Sequence, residues 1–308
     1  MDIQFKRPEL ADRDVISGYL RQRKTRSCEM TFANVYLWCR HYPTGFAIVE
    51  DMLVFASLEG DISFTFPWGA KDPRPALDAL MDYCAIRKAP FRLHNVTRES
   101  FGWLEELYPG RFQIVYDRTY ADYVYETEKL VNLSGKKYHG KKNHVNKFMR
   151  TYPDWAYEPI SPENVEECFQ MALRWRELNG CEEDAGKLAE ICVTLNFLRL
   201  FEELKMRGGL LRVQGEIVAF SIGEPVCDDT MVVHVEKAFN DIPGAYAVIN
   251  QQFALHEGAG YQYLNREDDV GEEGLRRAKL SYHPVFLVEK GVVTERDAAV
   301  LGNRRLCG

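Results

Sequence analysis

Twice along this chain the spacing of apolar residues steps through one order of elements: three extended runs, a helix, an extended run, a second helix and a last extended run. A chain that repeats such an order is held to one architecture, a sheet flanked by helices in each half. In the first half, FAIVEDMLVFASLE from Phe46 predicts two short strands about a turn at Glu50–Asp51, and DISFTFPWG predicts a third closed by Pro67. DPRPALDALMDYCAIRK predicts a helix with Asp72 as cap, Pro73 in the first turn and an apolar face of Leu77, Leu80, Met81 and Cys84. FRLHNV reads as a strand, TRESFGWLEELYPG as a helix starting at Thr97, and FQIVYDRTYADYVYE as one long or two short strands.

The second half begins with SPENVEECFQMALRWRELNG, a helix capped by Ser161 with Pro162 at its first position, and a further helix spans Ala185 to Met206. GLLRVQGEIVAFSIGEPV is a hairpin turning at Gln214–Gly215, and TMVVHVEKA is a central strand by its β-branched content. After the loop FNDIPGAY come the helix AVINQQFALHEG, the strand YQYLNRE, the helix EEGLRRAKLSYH and the strand VFLVEKGVV. The repeated order implies duplication. The expected fold class is mixed α/β (α+β), with one domain over 1–128, a second over 129–293 and a polar, loosely packed tail over 294–308.

A length of 308 residues supports two domains, and 46% hydrophobic with 28% charged residues is an ordinary globular balance. No run of about 18 apolar residues occurs, and Met1 to Leu10 lacks a signal-peptide core, so the expectation is a soluble, cytoplasmic protein without integral membrane association. Eight cysteines without a CxxC pair argue for reduced, buried thiols and against zinc. P-loop, HExxH, GxSxG and dinucleotide fingerprints are absent, and neither metal nor cofactor is expected.

Net charge is −7, yet Lys129 to Pro153 holds seven Lys or Arg and no acid, leaving −14 on the rest. Drawn as a helix from Ser134 to Arg150 with Ser134 as cap, this segment puts Lys137, Lys141 and His144 on one stripe, with Lys136, Asn143 and Lys147 beside it and Lys142 within the same cluster. Tyr138, Val145 and Phe148 fall toward the opposite, apolar side. Such a face suits the phosphates of one polyanionic partner, tRNA or a lipid head group, although a solvated helix face is the plain alternative.

The second-half order is similar to the Gcn5-related N-acyltransferase (GNAT) fold. LSGKKYHGKKNHVNKF, VEKAFNDIPGAYAVINQQF and LNREDDVGEEGLRRAKLSYHP resemble, more specifically, the bacterial family that shares the phosphatidylglycerol lysyltransferase C-terminal domain. The resemblance implies two tandem GNAT-like domains, related to Fem-type aminoacyltransferases, each a largely antiparallel sheet flanked by helices. It implies transfer of an aminoacyl group from aminoacyl-tRNA to an amine or hydroxyl, on a small-molecule or lipid head-group acceptor, by direct attack. A CoA-dependent N-acyltransferase and a noncatalytic anion- or RNA-binding module are the rivals.

In such a fold the loop from Asn240 presents backbone N–H groups at a helix N-terminus to an anion, through Asp241, Gly244, Ala245 and Tyr246. Asp241 and Tyr246 depart from the pattern of acetyl-CoA enzymes, and a plain strand-to-helix turn is the alternative. Asn265, Arg266, Glu267, Asp268 and Asp269 follow an apolar strand, where ligand contacts commonly emerge. Arg266 would hold an anion and Glu267 or Asp268 would act as base, unless the two aspartates simply cap the next helix. Glu236, on the same strand face as His234, is a further base candidate. Tyr282 would protonate a leaving group or pack on Pro284, and Lys279 completes the anion-binding set.

Overall fold

In the computed structural model, which describes residues 3–296, thirteen strands and ten α-helices form two compact units. The strands are β1 Thr44–Val49, β2 Met52–Ser57, β3 Ser63–Phe64, β4 Arg92–Thr97, β5 Phe112–Tyr116, β6 Asp122–Glu126, β7 Ala156–Pro159, β8 Arg207–Val213, β9 Glu216–Cys227, β10 Thr230–Ala238, β11 Tyr263–Asn265, β12 Phe286–Val288 and β13 Lys290–Glu295. The helices are α1 Arg13–Leu20, α2 Phe32–Trp38, α3 Arg74–Ile86, α4 Arg98–Leu107, α5 Thr127–Asn132, α6 His139–Thr151, α7 Val165–Leu178, α8 Ala185–Arg199, α9 Ala245–His256 and α10 Glu273–Leu280. No described helix is long and apolar enough to cross a membrane.

One unit gathers Trp38–Ala121 with the described residues of Met1–Lys24 and Val288–Gly308. Its six strands run in the order β1-β2-β3-β4-β13-β5, with β3 and β4 parallel and the other pairs antiparallel. The β1–β2 hairpin turns at Glu50 and Asp51, both left-handed at φ 49° and 60°, as a twisted two-residue hairpin demands. The third expected strand shrinks to two residues, with Trp68 bridged back to Leu53. α3 carries the predicted face, Leu77, Leu80 and Cys84 being buried with Val54, Phe64, Leu93, Leu104 and Val293 in one core. Asp72 Oδ1 accepts from Arg74 N at 2.9 Å, while Pro73 occupies the N-cap position itself. Thr97 caps α4, its hydroxyl accepting from Ser100 N at 3.2 Å.

The other unit comprises Thr25–Leu37 and Asp122–Leu287. Its seven strands run β12-β6-β11-β10-β9-β8-β7, with β10 and β11 parallel. Gln214 and Gly215 turn the β8–β9 hairpin with positive φ, and α9 is buried along most of its length. Three expected helix ends move. Ser161 lies in a turn, its carbonyl accepting from Val165 N at 2.9 Å, and Asn164 stands at the N-cap of α7. α8 closes at Arg199 instead of Met206, because Phe201, Leu204 and Met206 turn inward and Lys205 takes φ 56°, which a helix interior excludes. Ser134 does not cap the basic helix: Gly135 at φ 93° breaks the chain there, a 3₁₀ turn covers Lys136–Tyr138, and α6 starts at His139.

The expected division at residue 128 therefore gives way to a discontinuous one. FQIVYDRTYADYVYE is two short strands in different sheets, since β6 pairs with β11 while β5 pairs with β13. VFLVEKGVV likewise splits into β12 and β13, and Thr294 and Glu295, placed in the expected tail, are ladder residues of β13. The rest of that tail, from 297, lies outside the described residues.

Candidate active site

β10 and β11 pair only where Thr230–Val232 face Tyr263–Asn265. β11 then ends, and β10 continues to Ala238 with β9 alone beside it. Into the opening between the two strands the sequence places charge. Glu236 sits on β10, and Arg266, the first residue after β11, donates through Nη2 to Glu236 Oε1 at 2.7 Å. Asn250, buried in α9, donates through Nδ2 to Glu236 Oε2 at 3.1 Å. The Arg266 guanidinium lies 4.9 Å from the Tyr282 ring and 5.7 Å from the Tyr125 ring. Lys141, reaching in from α6, holds Nζ 4.0 Å from the same Tyr282 ring.

Burial works against the charge on Arg266, but Glu236 and the two tyrosines outweigh it and keep the guanidinium ionised. Burial pushes the Tyr282 hydroxyl up to about 12, with Arg266 opposing, so it stays a proton donor. Burial, and then the neighbouring Arg266, lowers the Lys141 ammonium, with Glu236 opposing. Two buried atoms of this cluster, Arg266 Nη1 and Asn250 Oδ1, have no hydrogen-bond partner among the described residues. A buried donor and a buried acceptor left unsatisfied are costly unless a ligand or water completes them.

The turn that carries Arg266 is built by the other predicted residues. Asn265 Oδ1 accepts from Glu267 N at 2.7 Å, and its Nδ2 donates to Asp122 Oδ2 at 2.9 Å. Lys279 is buried, with its ammonium donating to the carbonyls of Arg266 and Asp268. Asp268 Oδ1 accepts from Val270 N at 3.1 Å. Asp269 is fully buried against Tyr123, Gly271 N and a two-pronged contact with Arg276, both prongs at 2.8 Å. Glu267, at φ 56°, directs its carboxylate to His234 Nδ1 at 2.8 Å, and Glu224 meets His234 Nε2 at 3.2 Å. Against the cost of burial, these two carboxylates raise His234 to about 9. The ring stacks on Phe197, 5.1 Å away, and both nitrogens are occupied.

The remaining predicted residues fall around α6 and the start of α9. Gly244 takes φ 93° at the N-cap of α9, and a Cβ there would stand 2.8 Å from the His144 carbonyl and 3.0 Å from Phe148 Cβ. Its lack of a side chain thus admits the basic helix. Ala245 is buried with its N–H bonded to Ile242 O, Tyr246 is half-buried and Asp241 exposed. Tyr138, Val145 and Phe148 are buried as the apolar side predicted, while Lys136, Lys137, Lys142, His144 and Lys147 face solvent. A shallow depression of about 390 Å³ on that helix is lined by Asn143, Asn146, Met149 and Arg150.

Asn250, Tyr125 and Glu224 escaped sequence reasoning. Glu224 carried a signal, being the single charged residue inside the run AFSIGEPV, whereas Asn250 is one of three consecutive amides in AVINQQFAL. Two groups have ligand atoms near enough to share a cation, Cys28–Glu29–Asp122 and Cys227–Asp228–Asp229. In them Asp122 already bonds Cys28 N and Asn265, and Asp229 bonds Arg26.

Comparison with known proteins places this geometry in context. The family model described as phosphatidylglycerol lysyltransferase, C-terminal, matches residues 20–293. A conserved protein of unknown function from Bacteroides thetaiotaomicron is 40% identical, with 96% of this chain and 100% of that one covered and a TM-score of 0.90. L-PGS from Bacillus licheniformis shares the fold at 16% identity, with a TM-score of 0.63 over 94% of each chain. An uncharacterized protein of Mycoplasmoides gallisepticum is 23% identical over 203 residues, which are 65% of this chain and 64% of that protein's length.

Proposed function

The chain belongs to the phosphatidylglycerol lysyltransferase C-terminal family, and from that premise we propose that it is an aminoacyltransferase, moving an aminoacyl group from aminoacyl-tRNA to an amine or hydroxyl acceptor. The observation that carries this reading is the pair of unsatisfied buried atoms, Arg266 Nη1 and Asn250 Oδ1, flanking the Glu236 carboxylate. An aminoacyl ester offers the complementary groups, a carbonyl oxygen for the guanidinium and an α-ammonium for the amide oxygen. As the acceptor attacks the carbonyl carbon, negative charge grows on that oxygen, and Arg266, held in place by Glu236 and two tyrosine rings, stabilises it without reorganising. The Tyr282 hydroxyl, which makes no hydrogen bond among the described residues, supplies a proton to the departing ribose oxygen. The outward lysines of α6 hold the phosphates of the tRNA.

Acyl-CoA is the weaker donor here. The α9 N-terminus that would receive its pyrophosphate has the α6 backbone against Gly244, with an acid at Asp241. The test is transfer of radiolabelled aminoacyl groups from a mixed charged-tRNA pool to amines and to phosphatidylglycerol vesicles, beside acetyl-CoA, across a salt series. Acceptor-dependent transfer should fall on the order of 10²–10³-fold in Arg266→Ala, with tRNA binding intact and steeply salt-dependent. Transfer from acetyl-CoA alone, or an Arg266→Ala variant as active as the wild type, overturns the reading.

A further inference from the structure

Several titratable side chains stand in or beside the site, and the contacts of each bear on what it can do with a proton. Both Glu236 oxygens accept hydrogen bonds, from Arg266 and Asn250. Glu267 is bound to His234, and both His234 nitrogens face carboxylates. Lys279 donates to two backbone carbonyls, and Tyr282 rests protonated, suited to give a proton and not to take one. Lys141 differs. It leaves the exposed row of α6, is half-buried against the Tyr282 ring, and has no hydrogen bond or ion pair among the described residues.

We propose that Lys141, as the uncharged amine, takes the proton from the attacking nucleophile. This role rests on the aminoacyl-transfer reading. The nucleophile's N–H or O–H bond breaks as its nitrogen or oxygen bonds the acyl carbon, and the proton passes to Lys141 Nζ. The ester C–O bond breaks, and the ribose oxygen takes the Tyr282 proton. Water then carries the proton from Lys141 back to Tyr282, restoring both groups. The charged and titratable groups facing Lys141 from neighbouring elements are Arg266 after β11, Glu236 on β10 and Tyr282 after α10. Burial and the guanidinium favour the neutral amine, and Glu236 opposes them. Lys142, the next residue on the helix, is exposed and serves as an internal reference.

Two readouts test the assignment on the full chain. Brief labelling with limiting trinitrobenzenesulfonate, quantified by peptide mass spectrometry, gives the ratio of Lys141 to Lys142 modification. That ratio cancels the reagent and isolates protonation, because access alone does not vary with pH. It should fall as pH rises from about 6 to about 10; a ratio that stays level or climbs overturns the proposal. In the transfer assay, Lys141→Arg preserves a cation but cannot accept a proton, so turnover should drop roughly 10²–10⁴-fold with tRNA affinity unchanged. Arginine turnover equal to the wild type also overturns it. If the wild type transfers nothing while the labelling ratio falls, the aminoacyl reading fails and the uncharged amine stands.

Discussion

His234 shows how one residue couples packing to protonation. Its ring is closed in by Phe197, and each nitrogen meets a carboxylate, so the folded protein holds an imidazolium up to about 9 where an unfolded chain releases it near 6.5. A folded-state value above the unfolded one gives stability that is complete below about 6.5 and is lost as pH rises through about 9. The contribution is on the order of 3 kcal/mol. Thermal unfolding of the wild type beside His234→Gln should show a gap in midpoints that is widest below neutrality and narrows toward pH 10. A gap independent of pH would mean that the ring is neutral. Sequence reasoning saw His234 and Glu267 separately, because strand alternation assigns a face but says nothing about which acid from a neighbouring turn will meet a given ring.

At the scale of elements, the contact between α6 and the start of α9 hangs on Gly244. Alanine there meets a left-handed backbone and a carbonyl 2.8 Å from its Cβ. Gly244→Ala should cost roughly 1–3 kcal/mol, readable as a lowered urea midpoint, and should disturb the placement of Lys141 on the same helix. The glycine itself was legible as a special position, but its partner was not: a positive φ calls for glycine whether an anion or a helix comes close. Hairpins at Glu50–Asp51 and Gln214–Gly215, the apolar face of α3 and the start of α4 at about Thr97 were legible, since each depends on residues a few positions apart. What periodicity could not divide were the two strand-like segments 112–126 and 285–293. Strand propensity makes a segment extended, and only the distant β4, β5 and β11 decide which edge it completes. The candidate-site cluster was half visible for the same reason. Arg266 and Glu236 stood out as charges beside apolar strands, whereas Asn250 acquires meaning only once α9 lies over β10.

For the whole molecule, charge and topology carry separate consequences. With −14 outside the basic segment, the proposed tRNA partner would be repelled by the charge on the rest of the chain and drawn to α6, where Lys141 is half-buried and Lys142 and Lys147 are exposed. The chain enters the first unit, leaves it for Thr25–Leu37, returns, and finally contributes β13 after the second unit is complete. β13 lies between β4 and β5, with Val293 wholly buried in that unit's core. A chain cut after Val288 should therefore lose hydrogen-exchange protection throughout β4 and β5, while β8–β10 keep theirs. Protection retained in β4 and β5 would show that the sheet closes without its inserted strand. During biosynthesis this order matters. A nascent chain that has emerged as far as β5 holds a sheet with an open slot, and must wait for some 170 further residues before the missing strand leaves the ribosome. Translation thus sets the unit encoded first to finish folding last, and no single cut in the gene yields two self-sufficient halves.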